Sequence, residues 1–277
     1  MRLPLTPVLL LGGCSGGVLD PHGPVGEAER TILFNATVIM LAVVIPVIIG
    51  TVLFAWWFRV GNKRAQRRPD WSYGGQIEFV VWAIPALVVL FLGGIAWIGA
   101  HDLDPKSRLH ATDKPVEIEV VSLDWKWLFI YPGSGLATVN RLVVPVGSPV
   151  HFRLTSAGVM NSFFVPQLGS QIYTMAGMVT ELNLQADTPG SFAGLSAQFS
   201  GDGFSDMRFE VTAMPPGAFA RWVDEAHAQG GALNIEQYAL LAQPSSQEPP
   251  RTFGSVSAGL FDAILATPGA PPSVRTP

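Results

Sequence analysis

Phe79-Val-Val-Trp-Ala-Ile-Pro-Ala-Leu-Val-Val-Leu-Phe-Leu-Gly-Gly-Ile-Ala-Trp-Ile-Gly-Ala100 contains no charged side chain. A run of the same character, residues 31–58, precedes it, broken only by the polar side chains of Asn35, Thr37 and Thr51. At about 1.5 Å per residue each run makes a helix of roughly 30–40 Å, long enough to cross a hydrocarbon core of about 30 Å. Pro46 and Pro85 lie inside the runs. Membrane helices tolerate such prolines where neighbouring groups or water satisfy the freed carbonyl. The two runs predict a transmembrane hairpin with helices at about 31–58 and 79–100.

The stretch from Arg59 to Pro69 carries Arg59, Lys63, Arg64, Arg67 and Arg68 and no acidic residue. A short loop so rich in Lys and Arg stays in the cytoplasm. The segment before the first run carries Asp20, Glu27 and Glu29 against Arg30 alone. Both termini are therefore expected on the outer face of a bacterial inner membrane, which is the periplasm in a Gram-negative cell. Trp56, Trp57, Trp71, Trp82 and Trp97 sit towards the ends of the runs, where interfacial aromatics collect.

The composition agrees. Of 277 residues, 48% are hydrophobic and only 14% charged, against about a quarter in soluble domains. A net charge of −4 gives no basic face for nucleic acid. Cys14 is the single cysteine, so neither an intrachain disulfide nor a site built on paired thiolates is possible. Met1-Arg-Leu-Pro-Leu-Thr-Pro-Val-Leu-Leu-Leu-Gly-Gly-Cys14 has a positive residue, a short apolar run and small residues before the cysteine. That pattern predicts a lipoprotein-type signal peptide over 1–13 and lipidation of Cys14, and it is set aside from fold reasoning.

The expected division is 1–13 signal, 14–100 N-terminal segment and hairpin, 101–214 an exported β-domain, and 215–277 a helical extension and tail. From Pro115 onward the sequence turns to short alternating runs, among them Val116-Glu-Ile-Glu-Val-Val121 and Trp125-Lys-Trp-Leu-Phe-Ile-Tyr131. Strands of this spacing between Gly/Pro turns predict a small Greek-key sandwich or barrel. After Pro215-Pro216-Gly217, apolar residues Phe219, Trp222, Val223 and Ala226 recur at helical spacing until Gly230-Gly231. Asn234-Ile-Glu-Gln237 has the form of a capping box before a second helix. The tail from Gln243 is rich in Pro and Ser around one apolar island, residues 253–265, expected to pack on the β-domain or wrap a partner.

The segment Ser196-Ala-Gln-Phe-Ser-Gly-Asp-Gly-Phe-Ser-Asp-Met207 then acquires meaning. It resembles the metal-binding segment of subunit II of the haem–copper terminal oxidases, in which two cysteines four apart flank a glutamate and a histidine and a methionine follow. Here the cysteine positions hold Ser196 and Ser200, the glutamate position Gln198 and the later histidine position Phe204. Asn161, opening Asn-Ser-Phe-Phe-Val-Pro-Gln-Leu-Gly169, stands at the position of the family's earlier histidine, and Met207 alone remains. A dinuclear copper centre needs bridging thiolates, soft donors that hold copper through its redox cycle, and serine hydroxyls are hard protonated donors. No metal is expected in this chain.

Within that family, loss of the copper ligands resembles the quinol oxidase branch, the cytochrome bo-type ubiquinol oxidases. Ser122-Leu-Asp-Trp-Lys-Trp127, Thr252-Phe-Gly254 and Gly259-Leu-Phe-Asp262 look like local signatures of the same branch. The resemblance implies a cupredoxin-like exported domain and a proton-pumping complex that oxidises ubiquinol and reduces oxygen to water. It implies haems and copper in partner subunit I, further subunits III and IV, no redox cofactor in this chain and no docking of cytochrome c. It also implies that Glu78, seven residues before Pro85, forms the entrance of a proton channel into subunit I. Otherwise Glu78 is an interfacial acid well placed at a helix N-terminus. Trp125 matches a tryptophan that relays electrons to copper, a role with no acceptor here, so Trp125 and Trp127 are expected to pack. A membrane-anchored cupredoxin-like binding or assembly module for an oxidase is the alternative reading. The few soft donors count against copper delivery.

Overall fold

The computed structural model describes residues 17–66, 69–107, 109, 114–267 and 269. Cys14, the signal segment, Arg67, Arg68 and His110 lie outside the described residues. The chain divides into two compact units, Arg30–Asp104 on one side and, on the other, the residues up to Glu29 together with those from Pro105 onward.

Helix α1 (Pro24–Trp57) and helix α2 (Gly75–Asp102) have 34 and 28 residues, both longer than the apolar runs alone suggest. Both are long and apolar enough to cross a membrane, and the apolar window of each is unburied within the chain. Inside α1 the hydroxyls of Thr37 and Thr51 donate to Leu33 and Val47 carbonyls at 2.7 and 2.8 Å. This removes the cost of taking an unpaired hydroxyl into lipid.

The other unit is built on two sheets. Strands β1 (Val116–Leu123), β2 (Lys126–Tyr131), β3 (Leu136–Val139), β4 (Arg141–Pro145), β5 (Val150–Ser156), β6 (Asn161–Val165), β7 (Gly169–Thr174), β8 (Thr180–Leu184), β9 (Gly190–Ser196) and β10 (Arg208–Met214) form the β-domain. Helix α3 (Pro216–Gln229), strand β11 (Gly231–Leu233), helix α4 (Ile235–Leu241), strand β12 (Arg251–Val256) and helix α5 (Leu260–Ala266) follow. The larger sheet runs β11-β12-β3-β2-β1-β5-β8 and the smaller β4-β10-β9-β6-β7. Parallel β1·β5 and β4·β10 pairs tie together strands far apart in sequence.

Two cores hold this unit. Between the sheets, Trp127 meets Phe163 and Phe209 edge-on, each at 5.6 Å between ring centroids, and Phe152 and Phe129 complete the aromatic layer. Such edge contacts are favoured by the ring quadrupoles. On the outer face of the larger sheet, Val121, Leu123, Leu128, Ile130, Ala137 and Val139 pack against Tyr238, Leu241, Leu260, Phe261 and Ile264 of α4 and α5. Buried on both faces, β2 has no exposed residue.

The C-terminal extension carries the expected helices, and two short strands, β11 and β12, stand among them. β12 pairs antiparallel with β3, aligning Arg251 with Val139 and Phe253 with Ala137, and so extends the larger sheet. The N-cap half of the expected capping box forms, with Asn234 Oδ1 accepting from the Gln237 amide at 2.8 Å.

The segment before the first span also packs on the β-domain. The amide of His22 donates to Gln167 O at 2.7 Å, that of Gly26 to Leu168 O at 3.1 Å, and that of Asp187 to His22 O at 2.8 Å. Gly23 permits this approach, since a Cβ there would lie 2.1 Å from Gln185 O.

Candidate functional site

The residues singled out around Ser196 do converge. Asn161 begins β6 and Ser196 ends β9, and the two strands pair antiparallel with Phe163 opposite Ser196. Both side chains are buried, at 1% and 3% exposure. Ser196 Oγ lies 3.1 Å from Asn161 Oδ1 and 3.2 Å from the carbonyl of Gln198, so its single proton is shared between two acceptors. Asn161 Nδ2 donates to Val159 O at 3.2 Å. Each polar group of the pair thus has a partner, as burial requires.

From Ser196 the chain runs out through the β9–β10 loop and back through a 3₁₀ turn, Phe204–Asp206, to Met207. The Ser196 amide donates to the Met207 carbonyl at 3.1 Å and closes the loop at its base. Ser200 Oγ sits 3.9 Å from Met207 Sδ, and Met207 is buried at 1% exposure. The Phe204 ring makes an edge contact with Phe199 at 5.6 Å. Asn161, Ser196, Ser200 and Met207 are therefore gathered at one end of the sandwich. Gln198 contributes its backbone carbonyl, and Phe204 lines the loop.

Trp125 covers this loop. Its Nε1 donates to Ser200 O at 2.9 Å. Gly203 makes the covering possible, because a Cβ there would lie 2.5 Å from the indole ring. Trp127, two residues on, points instead into the aromatic core, where its Nε1 is buried and has no hydrogen-bond partner.

The donor set does not fit a dinuclear copper centre. Two hydroxyls, a carboxamide and one thioether supply no thiolate to bridge two metal ions, and the Ser196 hydroxyl is already committed to Asn161. Among the described residues no three of His, Cys, Asp and Glu group as a metal site. His151 is held by Asn183 at 3.0 Å and His101 by the Trp97 carbonyl at 2.8 Å, both remote in sequence from the loop.

Glu78 lies in the first turn of α2, exposed, with its amide donating to Gly74 O at 3.0 Å. It belongs to the other unit of the chain. The sequence presents it as a helix-start acid, and the first turn of α2 is where it stands.

One functional-looking residue escaped sequence reasoning. Lys126, within the aromatic strand β2, is 1% exposed. Its Nζ donates to Gln243 O at 2.7 Å and to Ser245 Oγ, while Ser245 Oγ donates to Glu248 Oε2 at 2.9 Å. Burial holds its pKa below the usual lysine value, and the carboxylates of Glu248 and Asp124 oppose that shift. The only available signal was a charged residue at an inward position of an otherwise apolar strand.

Comparison with known proteins follows the same lines. Residues 116–214 match the family described as "Cytochrome C oxidase subunit II, periplasmic domain", and residues 227–267 match the "COX Aromatic Rich Motif". The chain is 51% identical over 263 residues to "Cytochrome bo(3) ubiquinol oxidase subunit 2" of Pseudomonas aeruginosa, covering 95% of this chain and 80% of that protein. It is 48% identical to "Ubiquinol oxidase subunit 2" of Acetobacter aceti, covering 95% of this chain and 86% of the relative. The protein of the first name from Pseudomonas putida is also 48% identical, with 95% and 84% covered.

Proposed function

The chain belongs to the ubiquinol oxidase subunit 2 family, and on that footing we propose that it is the redox-silent, membrane-anchored subunit of a terminal oxidase that oxidises ubiquinol and reduces oxygen to water. The observation that carries the second half of this reading is the Ser196–Asn161 hydrogen bond. A thiolate and an imidazole would be needed where these two groups pair with each other.

The chemistry of the donor explains why such a subunit works without a metal relay. Ubiquinol dissolves in the bilayer and delivers its electrons there, so no exported acceptor is required. The haems and copper belong to partner subunit I, and the hairpin of α1 and α2 anchors the exported domain beside it. Subunits III and IV complete the complex in this reading. The basic loop lies in the cytoplasm and both termini lie outside, as the Lys/Arg asymmetry supports. Lipidation at Cys14, supported by Leu11-Gly12-Gly13 before it, adds a second anchor.

Glu78 is the residue of this chain given a part in proton movement. A carboxylate at a membrane boundary collects protons from water and passes them inward. Its place in the first turn of α2, on the side of the basic loop, suits proton uptake from the cytoplasm.

The test is purification through a tag on this chain. The reading expects haem absorbance in the purified complex and no electron paramagnetic resonance signal of a mixed-valence dinuclear copper. Recovery without haem would favour an assembly or binding module instead, and a dinuclear copper signal would contradict the redox-silent role.

A further inference from the structure

The end of α1 next to the basic loop is built as more than a hydrophobic surface. Leu53, Phe54, Trp56, Trp57 and Phe58 line a lateral groove of about 440 Å³. The Phe54 and Phe58 rings stack at 5.7 Å, and the Trp56 and Trp57 rings splay with centroids 6.3 Å apart. At the lip of this groove the guanidinium carbon of Arg59 lies 5.0 Å from the centroid of the Trp56 ring. Arg59 Nη1 also donates to the Trp56 carbonyl at 2.8 Å.

The turn beyond is capped in the same manner. Asn62 Nδ2 donates to Trp57 O at 2.6 Å, and the Arg64 amide donates to Asn62 Oδ1 at 3.1 Å. These bonds satisfy carbonyls that a helix end leaves open, and they fix the cation against the aromatic ring. Lys63 and Arg64 are exposed on the same turn. Arg59 itself is exposed, and a guanidinium carries five N–H donors, so most of its fork faces outward. Against Arg59, Lys63, Arg64, Arg67 and Arg68 the loop sets one acid, Asp70, so it keeps a clear positive excess.

We propose that this groove and its cationic lip bind an anionic phospholipid of the phosphatidylglycerol type. The phosphodiester takes the outward guanidinium fork of Arg59, whose geometry matches two phosphate oxygens. Lys63 and Arg64 add charge at headgroup depth, and one acyl chain lies along Leu53, Phe54 and Trp57. A partner helix packed in the groove would cover the rings but leave the fixed cation without an anion. A zwitterionic lipid brings its own ammonium into the same cluster and loses the advantage. Each Lys or Arg near an anionic lipid surface strengthens association by about fivefold. The inference rests on the reading of α1 as a membrane span.

The test is native mass spectrometry of the detergent-solubilised complex purified through this chain, exchanged against equimolar phosphatidylglycerol and phosphatidylethanolamine. Preferential retention of phosphatidylglycerol is expected, falling about fivefold in Arg59→Gln. Arg59→Lys should lose part of the preference, because an ammonium cannot reproduce the bidentate fork. Millimolar glycerol phosphate, which carries the charge without the chains, should not displace the lipid from the unaltered complex. Equal retention of the two lipids, an unchanged preference in Arg59→Gln, or displacement by glycerol phosphate would each overturn the proposal. Quinol-driven oxygen uptake of the same preparation separates the two readings: intact uptake with no lipid preference removes only the lipid site.

Discussion

Ser196 Oγ donates to Asn161 Oδ1 across the β9·β6 pair at 3.1 Å, both side chains buried at the end of the sandwich where Ser200 and Met207 also gather. This is a satisfied polar contact inside a packed domain. It stabilises the loop and commits the Ser196 hydroxyl at a position where a thiolate would be needed to bridge two copper ions.

Ser196→Ala removes the donor and leaves the Asn161 carbonyl oxygen buried without it. The β-domain should lose roughly 1–3 kcal/mol of stability, the range for stranding one buried partner. Quinol-driven oxygen uptake should not change. Thermal denaturation and oxygen uptake on the same preparation check both parts. A collapse of uptake in a folded complex would give this end of the domain a catalytic role.

Glu78→Gln keeps the size and hydrogen bonding of the side chain but cannot exchange a proton. Turnover is expected to fall several-fold with assembly and haem content unchanged, read by stopped-flow oxygen uptake and absorbance. Equal turnover would leave Glu78 as a helix-start acid only.

Lys126→Met preserves the volume of a buried side chain and removes its bonds to Gln243 O and Ser245 Oγ. The segment 243–250 should then detach from β2, because a hydrogen bond from a charged donor contributes about 1.5–3 kcal/mol. Limited trypsin digestion of the full chain reports this as accelerated cleavage after Arg251. An unchanged digestion pattern would show that β12 pairing alone holds the segment.

Glu119 provides a pH signature. Burial raises its pKa above 4.5, and the Arg153 guanidinium, 2.8 Å away, opposes the shift. The folded form therefore holds its proton more firmly than the unfolded chain does. That contribution to stability is full below pH 4.5 and is lost as pH rises through the folded value. Denaturation midpoints taken at about pH 4 and about pH 7 should differ less in Glu119→Gln than in the unaltered chain. An identical difference in both would mean that Glu119 titrates alike folded and unfolded.

Much of this architecture was legible in the residues. The two spans follow from runs without charge, and the presence of a β-domain from short alternating segments, whereas the strand order with its parallel β1·β5 and β4·β10 pairs does not. The convergence of Asn161 with Ser196 followed from the family's ligand spacing. Neither residue type marks a site by itself. What escaped depends on contacts distant in sequence. Arg251-Thr-Phe-Gly-Ser-Val256 is a short segment interrupted by Gly254, and it becomes a strand because β3 offers it an open edge. Residues 20–26 gave no strand or helix signal for their hydrogen bonds to Gln167, Leu168 and Asp187. Lys126 reads as an ordinary strand charge until the partner carbonyl of Gln243, far along the chain, is in place.

Oxygen uptake by the complex purified through this chain, supplied in parallel with ubiquinol or with reduced cytochrome c, tests the account most directly. Uptake with ubiquinol and none with cytochrome c is the predicted result. Uptake driven by reduced cytochrome c would contradict it, since it demands an exported electron acceptor that Ser196, Ser200 and Asn161 do not provide.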